Sequence, residues 1–207
     1  MKPIIMGADS VCAILEGRKT MTRRVIKPQP SVSYHWSGDA YVDNDGVLKA
    51  SLSGKPTTHF DYLPKCPYGK VGDRLWVREI FNCNEEGIAY KATQPHMDGL
   101  PWKSPIYMPK TYSRITLEIT DIRVERVQDI TEADAKAEGI KVLPLQDDSD
   151  PSAWYQYAPG IFQERSATKS YELLWDSLNA KRGYPWELNP WVWVILFKRI
   201  HDQKEDV

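Results

Sequence analysis

The run Glu16-Gly17-Arg18-Lys19-Thr20-Met21-Thr22-Arg23-Arg24 sets one lysine and two threonines among three arginines. A threonine hydroxyl becomes a nucleophile only when its proton is taken. A lysine takes it only when neutral, a state favoured by burial or by a neighbouring cation. Arg18, Arg23 and Arg24 are the candidate neighbours. Chemistry on an amide, a poor electrophile, asks for such a nucleophile, a base to activate it, an acid for the leaving nitrogen, and donors for the developing oxyanion. Val11, Ile14 and Leu15 stand at i, i+3 and i+4 just before the run, which predicts a short amphipathic helix over residues 10 to 16. Asp9 or Ser10 would be its N-cap and Gly17 its end. In an extended segment beyond Gly17, Lys19, Met21 and Arg23 would turn to one side, and Arg18, Thr20, Thr22 and Arg24 to the other.

Gly17-Arg18-Lys19-Thr20-x-Thr22-x-Arg24 resembles the signature of the ASCH domains, small β-barrel proteins of the PUA-like superfamily, in the form found in bacterial N4-acetylcytidine amidohydrolases. Two further segments are similar to that family: Lys70 to Val77 to its "GD.L.V" strand, and Thr131 to Glu138 to its "TE..A..E" helix. Arg114 to Ile119 and Trp191 to Ile200 stand where its central and last strands occur. The resemblance implies a catalytic triad of Lys19, Thr22 and Glu138 and a substrate carrying an acylated exocyclic nitrogen. Glu138 would hold Lys19 or position the water that breaks the acyl intermediate. Arg24 matches the motif arginine and would bind a ribose, a phosphate or the acyl oxygen, or pair with Glu79 or Glu138. Arg18, Trp76, Arg78 and Glu79 complete the candidate substrate-binding set, the last three differing in detail from the small amidohydrolase pattern. The composition and insertions also resemble ASCH proteins of phages and prophages.

The expected fold is α+β: a PUA-like mixed β-barrel with flanking helices at residues 10 to 16, 131 to 138 and 168 to 181. One domain spans residues 1 to 207, enlarged by loop-rich insertions at about 28 to 69 and 141 to 165. Asn44-Asp45-Gly46 predicts a hairpin in the first insertion. Its aromatics, among them Tyr34, Trp36, Tyr41, Phe60 and Tyr62, would stack on bases or form a small core of their own. Leu75, Val77 and Glu79 alternate with Arg74, Trp76 and Arg78 along a strand, and Gly87 to Ala92 reads as its antiparallel return. Ser113 to Val127 predicts a long core strand with a bend between Ile119 and Ile122. Thr131 heads a capping box, and Tyr171, Leu174, Trp175 and Leu178 form the apolar stripe of the last helix.

A net charge of −1 gives no global attraction to nucleic acid, so any such contact must come from a local patch. Cys12, Cys66 and Cys83 have no paired metal spacing, and their odd number argues against a secreted disulfide framework. His35, His59, His96 and His201 share no close spacing either, so no zinc site is expected, and no phosphate-cradling glycine motif points to a nucleotide cofactor. No signal segment or long apolar run is present, and a cytoplasmic protein away from membranes is expected. Two functions follow: an amidohydrolase acting on a small nucleoside without a cofactor, or a module binding RNA or single-stranded nucleic acid, with ribonuclease activity a variant of the second.

Overall fold

The computed structural model describes residues 1–30, 39–42, 48–51, 65–85, 87–96, 99, 101–143, 154–159 and 162–200. Its centre is a mixed sheet of β1 (Lys2–Ile5), β2 (Met21–Val25), β5 (Arg74–Arg78), β8 (Thr116–Arg126) and β11 (Trp191–Ile200). They lie in the order β1-β5-β8-β11-β2, with β1 parallel to β5 and the other neighbours antiparallel. The last strand is apolar on both faces because two cores meet across it. Trp193, Ile195 and Phe197 join Ile4, Met6, Val11, Ile14, Leu75 and Leu117 on one side, while Val192 and Val194 join Ala135, Tyr171, Leu174 and Trp175 on the other. The expected bend in β8 is a bulge: Leu196 pairs with Asp121 but Phe197 with Ile119, so the register skips Thr120. That extra residue lets Ile115, Leu117, Ile119, Ile122 and Val124 all reach one core although their sequence parity changes midway.

The architecture is therefore mixed α+β, as expected. β1 and β2 are the outer strands, and among the described residues no ladder joins them. A side chain spans the gap instead, Arg24 Nη2 of β2 donating to the Ile5 carbonyl of β1 at 2.7 Å.

Among the described residues three α-helices accompany the sheet, and each shifts slightly from its sequence reading. Helix α1 covers Ala8–Leu15 with Gly7 as its N-cap, so neither Asp9 nor Ser10 caps it; both lie inside the first turn. Helix α2 covers Glu132–Ala137, capped by the Thr131 side chain, which accepts from the Asp134 amide at 3.1 Å. Glu138 is its C-cap. The Asp134 carboxylate accepts from the Thr131 backbone, as the capping box expects, and also pairs with Arg23. Helix α3 covers Ala167–Asn179 and continues as a 3-10 turn to Arg182. Its stripe buries Tyr171, Leu174 and Trp175 but leaves Leu178 exposed, because the last turn runs past the edge of the core.

The remaining strands make small satellites. β3 (Asp39–Val42) and β4 (Leu48–Ser51) form the expected hairpin, whose Asn44-Asp45-Gly46 turn lies outside the described residues, as do Tyr34, Trp36, Phe60, Tyr62 and the Tyr41 side chain. β6 (Phe81–Asn84) pairs with β7 (Gly87–Tyr90), so the return strand belongs to a separate hairpin and not to β5, which is already paired on both sides. β9 (Lys141–Leu143) pairs with β10 (Trp154–Gln156), ordering both ends of the second insertion. Among the described residues no helix is long and apolar enough to cross a membrane.

Glu132 ties α2 to α3. Its carboxylate accepts from the Ser166 and Thr168 hydroxyls and from the backbone amides of Ala167 and Thr168, at the N-terminus where a negative charge is favoured. Desolvation alone would raise its pKa, but these donors outweigh it and lower the value to about 2. A carboxylate depressed by folding contributes stability that is complete above its unfolded pKa and lost as pH falls through the folded one. Thermal unfolding followed between pH 6 and pH 2 should show a loss below about pH 4.5 that is smaller in Glu132→Gln, whose stability is already lower at neutral pH.

Candidate active site

Lys19 is fixed where two helices end. Gly17, at φ 77°, reverses the chain after α1, and the amides of Arg18 and Lys19 both donate to the Ala13 carbonyl, at 2.9 and 3.0 Å. The next amide, Thr20, donates to Ala137 of α2 at 2.9 Å. Gly139 sits at φ 104° just past α2, and a Cβ there would lie 3.1 Å from Ala13 Cβ and 3.4 Å from Lys19 Cβ. Glycine thus lets α2 close on α1 with the lysine between them.

The Lys19 ammonium consequently meets Glu138. Nζ donates to the Glu138 carbonyl and to Oε2, each at 2.6 Å, and the two side chains are only 3% and 4% exposed. Burial pulls the lysine pKa down; Glu138 opposes this by charge and hydrogen bonding, Arg24 and Arg23 reinforce it, and the net position is below the ordinary lysine range. A buried amine so placed is closer to the neutral, proton-accepting form than a surface lysine.

β2 then distributes the remaining motif residues. Thr22 is buried opposite Ile195, and Arg24 lies opposite Trp193, on the face of the Ile4–Met6 core; Met21, Arg23 and Val25 face α2 and α3. The expected alternation holds from Met21 onward. Lys19 lies ahead of β2, so its direction is set by the helix ends and not by strand parity. Arg24 also approaches Met6 Sδ at 3.4 Å, while its buried Nε has no hydrogen-bond partner among the described residues. Arg18 is drawn to Glu16 and to the Gly139 carbonyl, beside the site.

Trp76, Arg78 and Glu79 have contacts of their own. Arg78 stacks on Trp76 at 4.7 Å and donates to the Ile106 carbonyl, and Glu79, 1% exposed, is held bidentately by Arg114 at 2.8 and 2.9 Å. Arg114 in turn lies over Tyr90 at 4.0 Å.

Tyr171 and Arg23 reach the carboxylate of the lysine–glutamate pair, and Tyr157 lies within reach of its charge. Tyr171 Oη donates to Glu138 Oε1 at 3.4 Å, and Arg23 Nη1 lies 3.7 Å from the same oxygen. Tyr157 shares a hydrogen bond of 2.6 Å with Ser10. Its pKa is pushed up to about 12 by burial; the Ser10 bond and Arg24 act against the shift, and Asp9 and Glu138 with it. Tyr171 was legible only as part of the apolar stripe, although a hydroxyl on a buried face must find a polar partner. Tyr157 sits in a segment without periodicity, and nothing in the sequence singles it out.

A hydroxyl on β2, a buried amine with a depressed pKa, a carboxylate and an arginine with an unused donor supply the components of acyl transfer. Among the described residues no group of three or more His, Cys, Asp and Glu side chains is arranged to hold a metal ion. No family profile, curated protein or solved structure matches the chain.

Proposed function

We propose that this chain is a PUA-like, ASCH-type amidohydrolase that removes the acetyl group from N4-acetylcytidine or a related N-acylated nucleoside. The observation that carries the reading is the buried Lys19–Glu138 pair at 2.6 Å, with Thr22 in the adjoining strand. The fold assignment draws support from the strand order and from Arg24, which links the two outer strands as a nearly closed barrel would require.

In this reading neutral Lys19 accepts the Thr22 hydroxyl proton as Oγ1 attacks the acetyl carbonyl. The carbonyl π electrons move onto oxygen, where the Arg24 guanidinium offers a donor. Collapse of the tetrahedral adduct re-forms the carbonyl and breaks the C–N bond, and the exocyclic nitrogen leaves with the proton that Lys19 had gained. Water, deprotonated by the Lys19–Glu138 pair, then attacks the acetyl-threonine ester, releasing acetate and regenerating Thr22. The desolvation that lowers the Lys19 pKa favours the neutral amine that the first step requires.

The test is incubation of the purified protein with N4-acetylcytidine, cytidine release being followed by chromatography against Lys19→Arg as control. Release no faster than the control rejects this substrate. The alternative, a nucleic-acid-binding module, is favoured by an open groove of about 470 Å³ beside the site, edged by Arg18, Lys136 and Lys141. A gel shift with single-stranded RNA that weakens steeply with salt would support it.

A further inference from the structure

We propose that Arg23 and Tyr171 are positioning residues, clamping Glu138 from the side opposite Lys19 so that the carboxylate presents a single oxygen to the amine. The proposal rests on reading Lys19 and Glu138 as the acid–base pair. Its evidence is the geometry around one carboxyl group. Oε2 is taken by Lys19 Nζ at 2.6 Å; Oε1 faces Arg23 Nη1 at 3.7 Å and the Tyr171 hydroxyl at 3.4 Å.

The Arg23 side chain is fully buried, which makes its placement specific, since an unanchored cation there would be costly. It is anchored. Nη2 donates to Glu125 of β8 and to Asp134 of α2, each at 3.0 Å, and Nη1 lies 3.1 Å from Met21 Sδ. Arg123 holds the other oxygens of both acids, at 3.0 Å for Glu125 and 3.6 Å for Asp134. The clamp is thus tied to the sheet on one side and to α2 on the other. Tyr171 adds a donor from α3, its own ionisation suppressed by burial and by Glu138.

Two consequences follow for the amine. With Oε1 occupied, Glu138 cannot swing to give Lys19 both oxygens, and the Arg23 charge opposes a second cation at Nζ. Both effects disfavour the ammonium form. The charged and titratable groups facing Lys19 and Glu138 are Arg24 of β2, Arg23, Tyr171 of α3 and Tyr157 beyond β10; Asp134, Glu125 and Arg123 form the outer layer. Removing Arg23 leaves Arg24 as the main cation acting against the lysine charge.

The experiment is an NMR titration of the Lys19 side chain in protein carrying ¹³C-labelled lysine, for wild type, Arg23→Met, Arg23→Lys and Tyr171→Phe, with kcat and KM measured in parallel. Arg23→Met should raise the Lys19 midpoint by about one pH unit, a tenfold rise in proton affinity, and Arg23→Lys should return it most of the way. Tyr171→Phe, which keeps the ring and loses only the donor, should raise it by a smaller amount. In the assay kcat should fall about tenfold for Arg23→Met with KM little changed. An unshifted Lys19 midpoint in both Arg23→Met and Tyr171→Phe overturns the proposal. If Arg23→Met does not fold, Tyr171→Phe decides alone, a rise supporting the clamp and no rise overturning it. Because the titration needs no substrate, shifted midpoints in a protein inactive on N4-acetylcytidine would uphold the clamp and reject only the amidohydrolase reading.

Discussion

Thr22→Ala is expected, on the proposed amidohydrolase reading, to lower the deacetylation rate by on the order of 10³-fold or more, because the variant would retain the base and the carboxylate but have no atom to carry the acyl group. The structural cost should be small. Thr22 is buried on a strand, and losing a hydroxyl and a methyl there costs about 1 kcal/mol. Activity and thermal unfolding measured on one preparation separate the two effects, and KM should change little if the hydroxyl acts in the transition state and not in binding. A Thr22→Ala protein that turns over within tenfold of wild type would remove Thr22 as nucleophile and direct attention to water activated by Lys19 and Glu138.

The largest expected loss of stability lies at the Glu79–Arg114 pair. Arg114→Met would leave a carboxylate that is 1% exposed without its bidentate partner, and removing one member of a buried pair is strongly destabilising. Arg114 itself keeps 26% of its side chain exposed, so water can partly replace it and the expected loss is about 3 kcal/mol, the low end for such a change. Replacing both residues, Glu79→Leu with Arg114→Met, should recover most of that loss, since no buried charge then remains. Urea unfolding of the two single variants and the double variant measures the coupling. Additive losses would mean that Glu79 is satisfied by something other than Arg114.

Where the sequence was readable, a local rule governed the residue. Thr131 ahead of α2 and the break in alternation between Ile119 and Ile122 each follow from chemistry within a few positions, and each corresponds to a cap or a bulge. Lys19 and Glu138 could be named from motifs, but their meeting depends on two helix ends packing through Gly139, a contact between residues 119 apart. Arg23 shows the opposite limit. Strand parity correctly set it on the face away from Thr22, yet its burial depends on Glu125, Asp134 and Glu138 arriving from β8 and α2, which no local pattern announces. For Trp76, Arg78 and Glu79 a motif strand gives the position, but the partners that hold them, Ile106 for Arg78 and Arg114 for Glu79, come from segments no local pattern links to it. The ends of the second insertion carry no periodicity, but Tyr155 packs on the α3 side and Tyr157 reaches Ser10, so tertiary contacts order what local propensity left open.

The packing of α1 against α2 around Lys19 also bears on the order in which the molecule assembles. The turn that presents Lys19 is made locally, through hydrogen bonds from Arg18 and Lys19 to Ala13, and can form early at little entropic cost. Its acidic partner stands 119 residues further on, beyond β5 and β8, so the contact closes a long loop. Long-range closures of this kind come late in folding. Until that contact forms the lysine stays hydrated, with the proton affinity of a surface amine, so its depressed pKa is a property of the fully packed chain and not of the local turn.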